Sequence, residues 1–187
     1  RDRGMSDDFE AARTALETSI DFCIAFRNET KRADSLEDLS ALYRDWALEL
    51  QRTQRDGPFT QYVQRALEYA QEAEEVAEAL KRPWLKGKIA FTRGELKYEF
   101  ERDFDGAFDL FFDACHTMLA ARVEFPHAAV LLQRRYEQML DKLQARLLSL
   151  RRSSYTNRQA QRLLDENFEA LPPDIRRKAD ATHDVLT

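Results

Sequence analysis

The chain has 187 residues, of which 34 % are charged and 11 % aromatic, and its formal net charge is −5. That length suits one domain burying ~70 % of its unfolded surface, so stability requires neither disulfides nor a metal. The apolar complement excludes a disordered chain. Only five Gly and five Pro, with little clustering of Val, Ile and Thr, argue against a sheet-rich fold.

Apolar residues recur at helical spacing almost throughout. Arg1-Asp2-Arg3-Gly4 precede Met5 and are set aside as an appended remnant, with the natural start expected at Met5. Phe9, Ala12, Leu16, Ile20, Cys23 and Phe26 then predict a helix over about residues 6–27, with Asp7 and Asp8 favouring its positive end. Ser35 followed by Asp38 approximates a capping box, and Leu39, Leu42, Trp46 and Leu50 form the face of the helix it would start. Asp56-Gly57-Pro58 breaks the chain, with Pro58 suited to a first helical position.

Phe59, Tyr62, Val63, Ala66, Ala70, Ala73, Ala77 and Leu80 form the next stripe; its other side, Arg65, Glu68, Glu72, Glu75 and Glu78, reads as a solvated face. Pro83 restarts a helix over about 84–101, and Asp103 caps another over about 104–122. Pro126 opens a long helix to about 151, with Leu132, Tyr136, Met139, Leu143, Leu147 and Leu150 near heptad spacing, either as core or as the seam of a homodimer. Ser153–Asn157 is a polar break. Leu163, Leu164, Phe168 and Leu171 mark a short helix that Pro172-Pro173 stops.

The expected fold is therefore all-α: antiparallel helix pairs, seven to eight helices, one domain over 5–171 and a weak helix or tail over 172–187. Oligomeric state stays open. No apolar run approaches ~18 residues and no cleavable leader is visible, so a cytoplasmic protein without membrane contact is expected.

A repeat overlies this pattern. Ala66, Ala70 and Ala73 recur in spacing as Ala107, Phe111 and Ala114, and residues 94–114 read GELKYEFERDFDGAFDLFFDA. This stretch resembles the tetratricopeptide repeat, in which a Gly and small residues let paired helices approach while an aromatic fills the gap. Gly94 to Ala107 is one residue longer than that family's spacing. Copies near residues 25 and 148 are not visible, and the alternative is an irregular helical bundle.

The resemblance implies a concave groove lined by the first helix of each pair, in which Lys88, Phe91, Glu95 and Tyr98 face a protein or peptide partner. In an ordinary bundle Phe91 and Tyr98 would instead be core. Trp84, after Pro83, reads as a packing anchor or an exposed contact.

Charge gives a second reading. Residues 128–162 carry eight Lys and Arg against two Asp and Glu. Arg135, Lys142 and Arg146 share one helical face, and Arg151, Arg152 and Arg158 continue the charge, so nucleic acid, another polyanion or an acidic part of the chain itself could meet it. The acidic pI of about 5.4 lacks the domain-wide basic footprint of nucleic-acid binders.

Chemistry is sparsely provided for. Asp113-x2-His116 has the spacing of a carboxylate–His metal pair, but its only counterpart, Glu124-x2-His127, is interrupted by Pro126. Cys115 and His116 are adjacent and point about 100° apart on a helix, which does not make a nucleophile–base pair. Cys23 and Cys115 read as buried thiols. A partner-binding adaptor or scaffold without catalysis, cofactor or metal is the expected function.

Overall fold

Helical periodicity dominates the chain, and the computed structural model, which describes residues 2–53 and 59–153, is helical over nearly all of them, with short turns between the helices. The elements are α1 (Asp2–Ala25), α2 (Glu29–Arg52), α3 (Phe59–Leu80), α4 (Pro83–Leu96), α5 (Phe104–Glu124) and α6 (Ala129–Ser153). A π-helical turn, Lys97–Glu101, extends α4, and a 3-10 turn, Pro126–Ala128, leads into α6. The expected short helix marked by Leu163, Leu164, Phe168 and Leu171, the tail and Pro58 lie outside the described residues.

Turn chemistry explains the reversals. Arg27 adopts φ 53°, and Asn28 N–H donates back to the Cys23 carbonyl at 2.8 Å, closing α1. Asn28 then caps α2 by accepting from Lys31 N–H at 3.1 Å. The expected start at Ser35 is therefore corrected: Ser35 lies inside α2, fully buried, with its hydroxyl 3.0 Å from that of Ser19 on α1. Lys81, at φ 51°, repeats the reversal before Pro83. Arg102, at φ 57°, ends the π turn, after which Asp103 caps α5 by accepting from Gly106 N–H at 3.0 Å. α1 begins at Asp2, so Asp2, Arg3 and Gly4, ahead of Met5, belong to the helix.

Small residues set how closely the helices pack. Ala66, Ala70, Ala73 and Ala77 of α3 are fully buried, and the Ser40 hydroxyl of α2 reaches the Ala66 carbonyl at 2.7 Å. At Gly94 a Cβ would lie 2.7 Å from the Phe111 ring and 3.1 Å from the Ala107 carbonyl, and at Gly87 it would lie 3.1 Å from the Ala114 carbonyl. Phe111, wholly buried, cannot retreat. Gly94→Ala is therefore expected to lower stability by a net ~1–2 kcal/mol despite the better helix propensity of Ala, measured as a fall in the thermal midpoint.

Alternate helices run in the same direction, and α2, α4 and α6 lie side by side. Leu39, Tyr43 and Trp46 of α2 meet Ala66 and Ala70 of α3, with Phe9 of α1 stacked on Trp46 at 5.2 Å. Phe91, Phe108, Phe111, Met118, Leu132, Tyr136 and Leu143 knit α4, α5 and α6. Leu132, Tyr136, Met139 and Leu143 are thus core rather than a dimer seam. Trp84 is a packing anchor, edge-on to Phe125 at 4.9 Å with Arg82 above its ring.

Candidate functional site

The side-by-side α2, α4 and α6 leave a concavity of about 620 Å³, lined by Glu37 from α2, Lys88, Phe91 and Thr92 from α4, and Arg135, Gln138, Met139, Asp141 and Lys142 from α6. Helical spacing places Lys88, Phe91, Thr92 and Glu95 on one face of α4, between the other two helices. Phe91 and Met139 form an apolar floor, both buried.

The α2 wall is acidic. Asp34, Glu37 and Asp38 converge on Lys88, whose Nζ lies 3.3 Å, 2.5 Å and 2.9 Å from their oxygens. The Thr92 hydroxyl donates to Glu37 Oε1 at 2.5 Å. Burial pushes the Glu37 carboxyl above its usual range, with Lys88 opposing. Burial alone would lower the Lys88 ammonium, but Glu37, Asp38 and Asp34 outweigh it and hold Lys88 well above its ordinary value.

The α6 wall is basic, and it is engaged. Arg135 approaches Asp34 at 3.8 Å. Buried Glu95 receives Arg44 of α2 in a close ion pair, with Lys142 at 3.6 Å and Arg146 at 3.7 Å on the α6 side. Arg146 also binds Glu99, and its guanidinium sits 5.2 Å from the Tyr98 ring centre. Lys142 lies 5.9 Å from the Phe91 ring centre and stays half exposed.

The four residues read as partner contacts therefore do share one line, but with unequal exposure. Glu95, Phe91 and Tyr98 are buried and Lys88 is largely covered, so this line is the spine of the groove rather than its lip. The accessible rim is Gln138, Asp141 and Lys142. Of the basic row, Arg135, Lys142 and Arg146 close on carboxylates of α2 and α4, not on the acidic ridge of α3. Arg151 and Arg152 belong to α6, and Arg158 lies outside the described residues. Sequence reading missed Glu37, Arg44 and Thr92. No local signal marks Glu37 or Arg44, since charged and polar residues make up most of α2.

Cys115 is buried and its thiol is pushed up to about 12 by that burial, whereas His116 next to it is exposed. Asp109 and Asp113 are also exposed on α5, and among the described residues no group of three or more His, Cys, Asp or Glu is arranged to hold a metal ion. Among them too, no helix is long and apolar enough to cross a membrane.

Fold and groove together define an all-α protein of stacked antiparallel helices with one charged, concave face. No family model, curated protein or solved structure matches the chain.

Proposed function

We propose that the chain is a non-catalytic module that binds a protein or peptide partner in the α2–α4–α6 groove, with an architecture like that of tetratricopeptide-repeat arrays. The observation that carries this reading is the groove itself: an apolar floor of Phe91 and Met139 between an acidic and a basic wall, all three from alternate helices. Close packing at Gly94, Phe111 and Ala107 supports the repeat-like pairing. The π turn Lys97–Glu101 lies between Gly94 and Ala107, and such a turn accommodates one extra residue, the same excess that separates this stretch from the family's spacing. A polyanion-binding reading is less well supported, since Arg135, Lys142 and Arg146 would each have to leave a carboxylate.

Lys88 and Tyr98 are poor positions for a binding test, because changing them disturbs the core. Gln138→Arg combined with Lys142→Gln alters the rim without setting an acid beside buried Glu95, which keeps Arg44 and Arg146. A partner captured from source lysate by the unaltered protein is expected to be lost with this double variant, while the circular dichroism spectrum and thermal midpoint stay close to the original. Undiminished capture by the folded variant sinks the groove assignment.

A further inference from the structure

A second surface lies on α1, away from the groove. Its inner face, Phe9, Leu16, Ile20 and Cys23, packs on α2 and α3. Its outer face carries a second stripe at heptad-like steps, Ala11, Ala15, Thr18 and Phe22, which Phe26 continues in the turn after Ala25, every one exposed. Phe22 and Phe26 are 59 % and 77 % exposed with their rings stacked on one another, an arrangement that leaves two large apolar side chains in water. Beside them a crevice of about 550 Å³ is lined in part by Ala15, Thr18, Phe22, Phe26 and Lys31.

The stripe is asymmetric along its length in two ways. Small residues, Ala11 and Ala15, occupy its N-terminal half and large ones, Phe22 and Phe26, its C-terminal half. Exposed acids, Asp7 and Asp8, stand at the first end, while exposed bases, Arg27 and Lys31, stand at the other. Turned through two-fold symmetry about a point between Thr18 and Ser19, the stripe complements itself: Ala15 meets Phe22, Ala11 meets Phe26, and Asp7 and Asp8 approach Arg27 and Lys31 of the second copy. Self-complementarity of one patch is the requirement for a closed two-fold interface. A parallel pair would instead set Phe on Phe, Ala on Ala, and like charges together.

We propose that α1 forms the seam of an antiparallel homodimer of this chain, each copy's Phe22 and Phe26 covering the Ala11–Ala15 half of the other. The seam is independent of the groove and leaves it open in both copies. One helix per subunit makes a small interface, so association is expected in the micromolar range.

Sedimentation equilibrium of the full chain from about 1 to 300 μM tests the proposal across that range. The expected result is a shift from monomer to twice the monomer mass. Phe22→Glu with Phe26→Glu, both changes at exposed positions, is expected to remain monomeric throughout with an unchanged circular dichroism spectrum. Under oxidation, Thr18→Cys is expected to give a disulfide-linked dimer. Ala11→Cys alone is expected to give none, since in the antiparallel pair its two copies stand about 22 Å apart along the helix axis. Monomer at every concentration overturns the proposal, as does a dimer that survives the Glu substitutions. Self-cross-linking at Ala11→Cys overturns the antiparallel arrangement.

Discussion

Replacing Lys88 by Met is expected to destabilise the protein by about 3 kcal/mol at pH 8 and by clearly less at pH 5. Lys88 is what offsets the burial of Glu37, and it also holds Asp34 and Asp38 at the same point. Met fills the space but leaves the carboxylate without its counter-charge. Glu37 is already raised by burial, and losing Lys88 raises it further. A carboxyl group raised on folding contributes its stability below its unfolded value, about 4.3, and loses it as pH climbs through the folded value. The deficit of the variant must therefore grow with pH across that window, by at most about 1.4 kcal/mol for each pH unit. Urea unfolding at pH 5 and pH 8 measures it. Adding Glu37→Gln to the Met variant is expected to restore most of the loss, because the amide keeps an acceptor for Thr92 and carries no charge; a double variant as unstable as Lys88→Met alone contradicts the account.

Glu95→Ala is expected to act on the other end of the groove and to cost about 3 kcal/mol. Glu95 is buried beneath Arg44, Lys142 and Arg146, and Arg44 is itself buried. Burial disfavours the Arg44 charge while Glu95 and Asp45, with a smaller contribution from Glu37, sustain it; without Glu95 the remaining ion-pair partner is half-exposed Asp45, at 2.7 Å. The same change removes one anchor of α6, so amide exchange around Lys142 and Arg146 is expected to accelerate more than in α3. Glu95→Gln, keeping shape and an acceptor, is expected to do less harm on both measures. Equal exchange in α3 and α6 of the Ala variant would show that the ion pairs do not hold α6 in place.

These two effects mark where the sequence was legible and where it was not. Periodicity sufficed for α1, α3, α5 and α6, whose inward stripes, such as Ala66-Ala70-Ala73-Ala77, repeat on one face. The Gly94–Ala107–Phe111 contact was legible as well, because small residues opposite a large one at helical spacing have a local signature. α2 was misread at its start. Ser35 resembles a cap by residue type, but capping depends on where the chain reverses, and the Arg27 turn puts that seven residues earlier, at Asn28. Glu37, Ser40 and Arg44 escaped for a related reason. On a helix covered on one side only they would face water, but α2 is covered by α1, α3 and α4. Their partners, Thr92, Ala66 and Glu95, lie 55, 26 and 51 residues away. Long-range pairing of that kind has no periodic trace. For the basic row, clustering on one face of α6 was visible in sequence, but which carboxylates would meet it depended on α4 running alongside.

The groove is also informative about exposure. Phe91, Glu95 and Tyr98 lie on the side of α4 that meets α6, and the side chains of α6 cover them. Any partner in this groove meets Gln138, Asp141 and Lys142 first, which moves the test of function from α4 to α6.

Site-specific photo-crosslinking in cells of the source organism tests the central claim most directly. A benzophenone side chain replacing Gln138 at the groove rim is predicted to yield a discrete covalent adduct with one partner protein, while the same group replacing Asp109 on the outer face of α5 yields none. No adduct from position 138, or the same adduct from both positions, would contradict the assignment of the α2–α4–α6 groove as the binding face.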